Sequence, residues 1–297
     1  MILRSDRDAH RELVAALVAY EAEHGPLPGL EDEGTRSSLL EQIVESRRRK
    51  AYLARIRERD LQDVSADPRS ELFDPMRAAV LHHRRGDLDE AFWMLFLSTH
   101  FGRHRTSRWA YARVVYAGPG SAWTWKRLTE ETTGFRDWLK GAQAAIQPQG
   151  GFGNHRKREH LSGWGATGTG AVVASYVDWV GEPPVHSNRF PAGIRRPFKD
   201  LYDSMAPILR FGRLARFDYL TTGMYLGLIE TEVDGTYLAG SSGPREGAQR
   251  LFGAGRVARL EAASAALAAA LGVRGDVMED ALCNWQKSPT QFRSFRG

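Results

Sequence analysis

The sequence is poor in cysteine, in long apolar runs and, over one stretch, in acid. Its single cysteine, Cys283, excludes an internal disulfide and any zinc site built on several thiolates. A metal centre would have to be assembled from histidine and carboxylate; neither a metal nor a cofactor is expected. No segment approaches the roughly 20 consecutive apolar residues of a membrane-spanning helix. The start, Met1-Ile2-Leu3-Arg4-Ser5-Asp6, lacks the apolar block of a signal peptide. These absences point to a cytoplasmic protein with no membrane partner.

Acid is missing altogether between Ala91 and Thr129, where Arg103, Arg105, Arg108, Arg113, Lys126 and Arg127 alternate with Trp109, Tyr111, Tyr116, Trp123 and Trp125. Cations interleaved with aromatic rings suit phosphates and stacked or extruded bases; a solvated basic face over an aromatic core gives the same pattern. The whole chain of 297 residues carries a net charge of +5, which favours a polyanionic partner without demanding one. At 42% hydrophobic and 26% charged it has the composition of a globular protein able to bury one large core or two modest ones.

The apolar pattern is helical almost throughout. Leu13, Val14, Leu17, Val18 and Tyr20 mark a helix over residues 8–24, stopped by Gly25-Pro26. A second helix runs from Ser37 to about Val64, and the basic run Arg47-Arg48-Arg49-Lys50 suggests an exposed face on an appendage. Residues 76–101 carry a strong apolar stripe broken at Gly86-Asp87, with Asp87 as the cap of a new helix. Phe135–Ile146, Ala171–Val180, Phe198–Leu228 and Val257–Leu271 read as further helices. The expected fold is mainly α: a helical N-terminal extension over residues 1–70 and a helical domain over 71–297.

Four stretches carry chemistry. In Tyr237–Phe252, glycines precede a helix start of small residues, the grammar of a helix-hairpin-helix. There Gly240, Ser241, Gly243 and Gly247 would let the backbone approach a DNA phosphate, with Arg245 as a mobile cation. An ordinary helix-to-helix turn uses the same residues. In Phe152–His160, Asn154, His155, Arg156 and Lys157 suit base and phosphate contacts better than a metal. In Arg210–Leu220, Arg213 and Arg216 flank Asp218, which suits either an ion pair or a carboxylate near the chemistry. In Gly275–Lys287, Asp276 is placed as an N-cap, and Glu279 and Asp280 fall in the first helical turn, where the helix dipole favours carboxylates whatever their function.

Over residues 90–297, five segments in order resemble the α-glutamyl/putrescinyl thymine pyrophosphorylases of the third clade. They are Ser98–Gly102, Phe152–Lys157, Phe211–Asp218, Gly243–Ala248 and Glu279–Lys287. That family is similar in turn to helix-hairpin-helix DNA glycosylases, and some members are thought to excise glucosylated hydroxymethylcytosine from phage DNA as a defence. The resemblance implies a glycosylase-like helical domain with its hairpin near 237–252, acting on a hypermodified base of phage DNA by base flipping and hydrolysis of the N-glycosidic bond. Where bifunctional relatives carry a nucleophilic lysine this chain has about Glu246, so a monofunctional enzyme using water is implied. The expected carboxylate is Asp280, then Asp276, with Asp218 third; the expected base pocket is His100, Phe101, Asn154, His155 and Tyr219. Transfer of an amino acid or polyamine onto an activated thymine with loss of pyrophosphate is the enzymatic alternative, and a non-catalytic DNA-binding module the other.

Overall fold

The computed structural model describes residues 6–295, which form thirteen α-helices and no strand. In chain order these are α1 (Arg7–His24), α2 (Glu33–Glu58), α3 (Pro75–Arg84), α4 (Leu88–Phe101), α5 (Ala110–Ala117), α6 (Trp125–Glu130) and α7 (Thr132–Ile146). They continue with α8 (Thr169–Val180), α9 (Phe198–Ser204), α10 (Arg213–Leu226), α11 (Gly243–Phe252), α12 (Val257–Ala270) and α13 (Gly275–Trp285). Among the described residues no helix is long and apolar enough to cross a membrane.

The chain forms two compact units, which divide it at Tyr52 and again at Val233, where the sequence reading places one division near residue 70. The first unit joins the N-terminal residues to the C-terminal helices. Its core is Leu13 and Leu17 of α1, Leu39, Leu40 and Ile43 of α2, Leu251 of α11, Leu260 and Leu267 of α12, and Met278, Leu282 and Trp285 of α13. Here α11 crosses α13 at very short range: a Cβ on Gly247 would stand 2.4 Å from the Leu282 carbonyl oxygen, and one on Gly243 would stand 2.9 Å from Cys283 Sγ. Glycine is required at Gly247 by helix packing.

The second unit, Leu53–Glu232, is built around α4. Every residue from Glu90 to Phe101 is buried, as expected of a helix that is apolar on all sides. Asp87 caps it, its carboxylate accepting from the Glu90 N–H at 3.2 Å, as the sequence suggests. Trp93, Phe96, Trp123, Tyr176, Phe217 and Tyr219 fill the surrounding core.

Three sequence expectations are corrected. The helix expected across 198–228 is two helices: Pro207, lacking an N–H, falls between α9 and α10, and Arg210 takes a positive φ of 62°. The helix expected from Ser37 begins earlier, because Asp32 caps it through the Thr35 N–H at 2.8 Å, and α2 ends at Glu58, before Val64. The helix expected before the glycines of 237–252 is absent. Residues 229–242 hold no helix, and the N–H groups of Thr236, Tyr237 and Leu238 donate to the Glu261 carboxylate of α12 at 2.6–2.8 Å. The short helix-to-helix connections of this unit are Gly253–Arg256, between α11 and α12, and Leu271–Arg274, between α12 and α13, with Gly253 at φ +77° and Gly272 at φ +60°.

Candidate functional site

Two loops meet in the second unit through a repeated sequence pattern. Phe101-Gly102-Arg103-His104 closes α4, and Phe152-Gly153-Asn154-His155 opens a short turn. The two phenyl rings stack with centroids 5.5 Å apart, and the Gly153 N–H donates to the Phe101 carbonyl at 2.8 Å. A Cβ on Gly153 would stand 2.9 Å from the Gly102 carbonyl carbon, and Gly102 itself has φ +62°. Both positions need glycine, one for a close backbone approach and one for its dihedral.

The approach delivers Arg156 into the structure. Its guanidinium is almost fully buried; Nε donates to the Thr99 carbonyl, an otherwise orphaned acceptor of α4's last turn, at 2.7 Å. Nη2 donates to Asp218 Oδ2 on α10 at 3.0 Å. The Asp218 side chain remains 40% exposed. It opens on a cleft of about 210 Å³, lined also by Ser98, Thr99, Arg103, Asn154, His155 and Thr222. Arg103, Asn154, His155, Lys157 and Arg158 are exposed, so positive charge and amide groups flank a carboxylate held by a buried cation. A more enclosed cavity of about 100 Å³ in the same unit is lined by Phe92, Phe190, Ile194 and Leu228 beside His83, Arg196 and Glu230, and contains none of the expected site residues.

Of the expected site residues, Asn154, His155, Arg156 and Asp218 therefore converge on one cleft. Lys157 is exposed beside it in sequence. Arg213 lies over the Phe217 ring, and Arg216 over the Tyr202 ring while donating to the Tyr202 carbonyl. His100, Phe101 and Tyr219 lie in the core and do not line the cleft. His100 Nε2 is 3.0 Å from Thr169 Oγ1; burial, reinforced by the Arg156 and Arg210 charges, pushes its pKa down to about 3, so the ring is neutral. Tyr219 ends a buried hydrogen-bonded chain through Tyr176 and His186 to Asp89, with spacings of 2.8, 2.9 and 2.8 Å.

The two C-terminal carboxylates belong to the first unit and face cations of α2. Arg49 donates to Asp280 Oδ2 at 2.6 Å, and the Asn284 amide donates to Asp280 Oδ1 at 3.1 Å. Burial alone would raise the Asp280 pKa, but Lys50 and Arg49 outweigh it and hold the carboxyl below its usual range. Asp276 is fully buried between Arg274 at 3.2 Å and Lys50 at 3.8 Å. It does not cap α13; Arg274 occupies the N-cap position and no side chain caps that end. The basic run expected on an exposed face thus supplies counter-charges to the fully buried Asp276 and the partly exposed Asp280. Around the expected hairpin, Arg245 and Gly240 are exposed, while Ser241 is buried and donates to the Leu238 carbonyl.

Sequence reasoning missed Ser98, Thr99 and Thr222 of the cleft, and had Arg103 only as one of the cations of the acid-free stretch. The doubled Phe-Gly-x-His pattern was the available signal for Arg103, which stands where Asn154 stands in the second copy. Among the described residues no three His, Cys, Asp or Glu side chains gather where a metal ion would sit.

A family model described as alpha-glutamyl/putrescinyl thymine pyrophosphorylase clade 3 matches residues 34–297. The chain belongs to that family, whose description names an enzyme of modified thymine. No curated protein and no solved structure matches it.

Proposed function

We propose that this family member is a monofunctional DNA glycosylase that takes an extruded, hypermodified base of phage DNA into the cleft of the second unit, with Asp218 as the working carboxylate. The observation that carries the reading is the pairing of a 40%-exposed Asp218 with the nearly buried Arg156 on the wall of a basic-rimmed cleft. Breaking the bond between C1′ and the base nitrogen leaves positive charge on the sugar. A fixed carboxylate stabilises that charge and takes a proton from the attacking water. Arg156 fixes the carboxylate, because its own position is set by the Thr99 carbonyl. Exposed Arg103, Lys157 and Arg158 supply contacts to the phosphates flanking the extruded nucleotide. Asp280 and Asp276, already neutralised by Arg49, Lys50 and Arg274, take a structural role in this reading.

The family description favours a second reading, in which the same basic rim holds pyrophosphate leaving an activated thymine. One experiment separates them. Incubated with phage DNA carrying modified thymine or glucosylated hydroxymethylcytosine, the wild-type chain generates abasic sites and free base in the first reading. Given DNA that carries a pyrophosphorylated hydroxymethyl thymine together with an amine, it joins the amine nitrogen to the methylene carbon and releases inorganic pyrophosphate, with the base retained, in the second. Asp218→Asn lowers base release by about a hundredfold or more, on the order of 2.7 kcal/mol of barrier, while DNA binding persists. Pyrophosphate release without abasic sites overturns the glycosylase reading.

A further inference from the structure

Six of the eight tryptophans are buried and Trp138 is half-buried, but Trp164 is 45% exposed. It sits in Gly163-Trp164-Gly165-Ala166-Thr167-Gly168, just before α8. The glycine spacing is that of a phosphate-cradling loop, yet the first helical donors are engaged: the Thr169 and Gly170 N–H groups donate to the His160 and Ser162 carbonyls, each at 3.0 Å. The glycines serve packing instead. A Cβ on Gly163 would stand 2.2 Å from the Arg136 carbonyl oxygen, and one on Gly170 would stand 2.0 Å from the Gly163 carbonyl oxygen. The loop is clamped against α7 and α8, so the indole it carries is presented by a rigid base.

The ring itself is held in two ways. Its Nε1–H donates to Asp137 Oδ1 at 2.8 Å, and the Arg136 guanidinium lies 3.9 Å from the ring centroid while its Nε donates to the Gly163 carbonyl at 3.1 Å. A large aromatic surface is therefore both exposed and pre-oriented, which removes much of the ordering cost of stacking a partner on it. Its surroundings are basic. Arg136 covers the ring, and Lys140 is exposed on the same helix. The acid in contact, Asp137, is engaged by the indole. The two ends of the loop that carries the ring are hydrogen-bonded toward the cleft. The Thr169 hydroxyl donates to the His160 carbonyl and accepts from His100 Nε2, and His100 follows Thr99, whose carbonyl holds Arg156.

We infer that Trp164 is a stacking platform for an unpaired base of the substrate strand, lying outside the cleft that takes the target nucleotide. The inference rests on the DNA reading of the same unit and deepens it: the strand is engaged with at least one unstacked base besides the target. Every nucleobase has a π face, and a cation-flanked indole accepts it without regard to sequence.

The test is a titration with a short single-stranded oligothymidylate, following intrinsic fluorescence and affinity together. In the wild type the oligonucleotide quenches tryptophan emission. Trp164→Ala removes that quenching and weakens binding by about tenfold or more. Trp164→Phe keeps a ring and stays within about threefold of wild-type affinity, which separates stacking from loss of the loop. Both variants keep the wild-type melting temperature. Oligonucleotide binding that is unchanged in Trp164→Ala overturns the platform and leaves the DNA reading standing. No binding of any DNA by the wild type overturns both. If Trp164→Ala changes the sedimentation coefficient but not oligonucleotide affinity, the ring is a protein contact and the inference fails.

Discussion

The two units hold the same kind of residue in opposite circumstances. In the first, Asp276 and Asp280 stand opposite Arg274, Lys50 and Arg49. In the second, Asp218 has one cation, Arg156, behind it and open space in front. A carboxylate surrounded by counter-charge has its charge already met, and removing it leaves half-buried cations uncompensated. A carboxylate fixed on one side and open on the other can meet a charge that develops during a reaction. Position next to a glycine-rich turn says nothing about which of the two a given aspartate is.

The difference can be broken or sharpened by substitution. The largest expected effect is in the first unit, at the α11–α13 crossing. Gly247→Leu forces a side chain into the Leu282 backbone, and a cost of more than about 3 kcal/mol is expected in a chemical-denaturation midpoint. A variant as stable as the wild type would mean that the helices separate freely there. Next comes Asp276→Ala, which leaves Lys50 and Arg274 without their buried partner and costs about 3 kcal/mol by the same measurement.

Glu90 supplies a pH test within the second unit. It is buried, accepting from the Tyr116 hydroxyl and the Trp125 N–H, each at 2.6 Å, and burial raises its pKa from 4.5 to about 7. A carboxyl whose folded-state pKa is raised contributes stability that is full below its unfolded value and is lost as pH rises through 7. Thermal melts of wild type and Glu90→Gln should therefore diverge from pH 5 to pH 8, the variant gaining roughly 2–3 kcal/mol in relative stability. Parallel curves would show that Glu90 is charged throughout. The smallest effect is that of Asp280→Asn, about 1 kcal/mol at neutral pH, since this pair is partly exposed. The sign is opposite to that of Glu90. A lowered folded-state pKa gives stability that is lost on acidification, so the gap between Asp280→Asn and wild type closes as pH falls below the ordinary carboxylate range.

Much of the fold was legible because local signals and tertiary packing agree. The stop at Gly25-Pro26, the Asp87 cap and the alanine-rich α12 each follow from residues a few positions apart. Where the outcome depends on a distant partner, the sequence was silent. The chain before Gly243 is drawn out of a helix by the Glu261 carboxylate, and Arg49 and Lys50 leave the expected basic face for acids more than 200 positions away. The cleft was half legible for the same reason. Asn154, His155, Arg156 and Asp218 stand out as residue types, but their convergence is made by the Gly102–Gly153 contact and by α10 packing on α4.

The central claim, that Asp218 and not the acids of α13 performs the chemistry, is tested most directly by measuring abasic-site formation under single-turnover conditions for Asp218→Asn and Asp280→Asn side by side. The expected result is a loss of about a hundredfold or more for Asp218→Asn in protein that still folds and binds DNA, with a melting temperature lowered because the nearly buried Arg156 loses its counter-charge, and a rate within about threefold of wild type for Asp280→Asn. Normal base release by Asp218→Asn, together with its loss in Asp280→Asn, would contradict it.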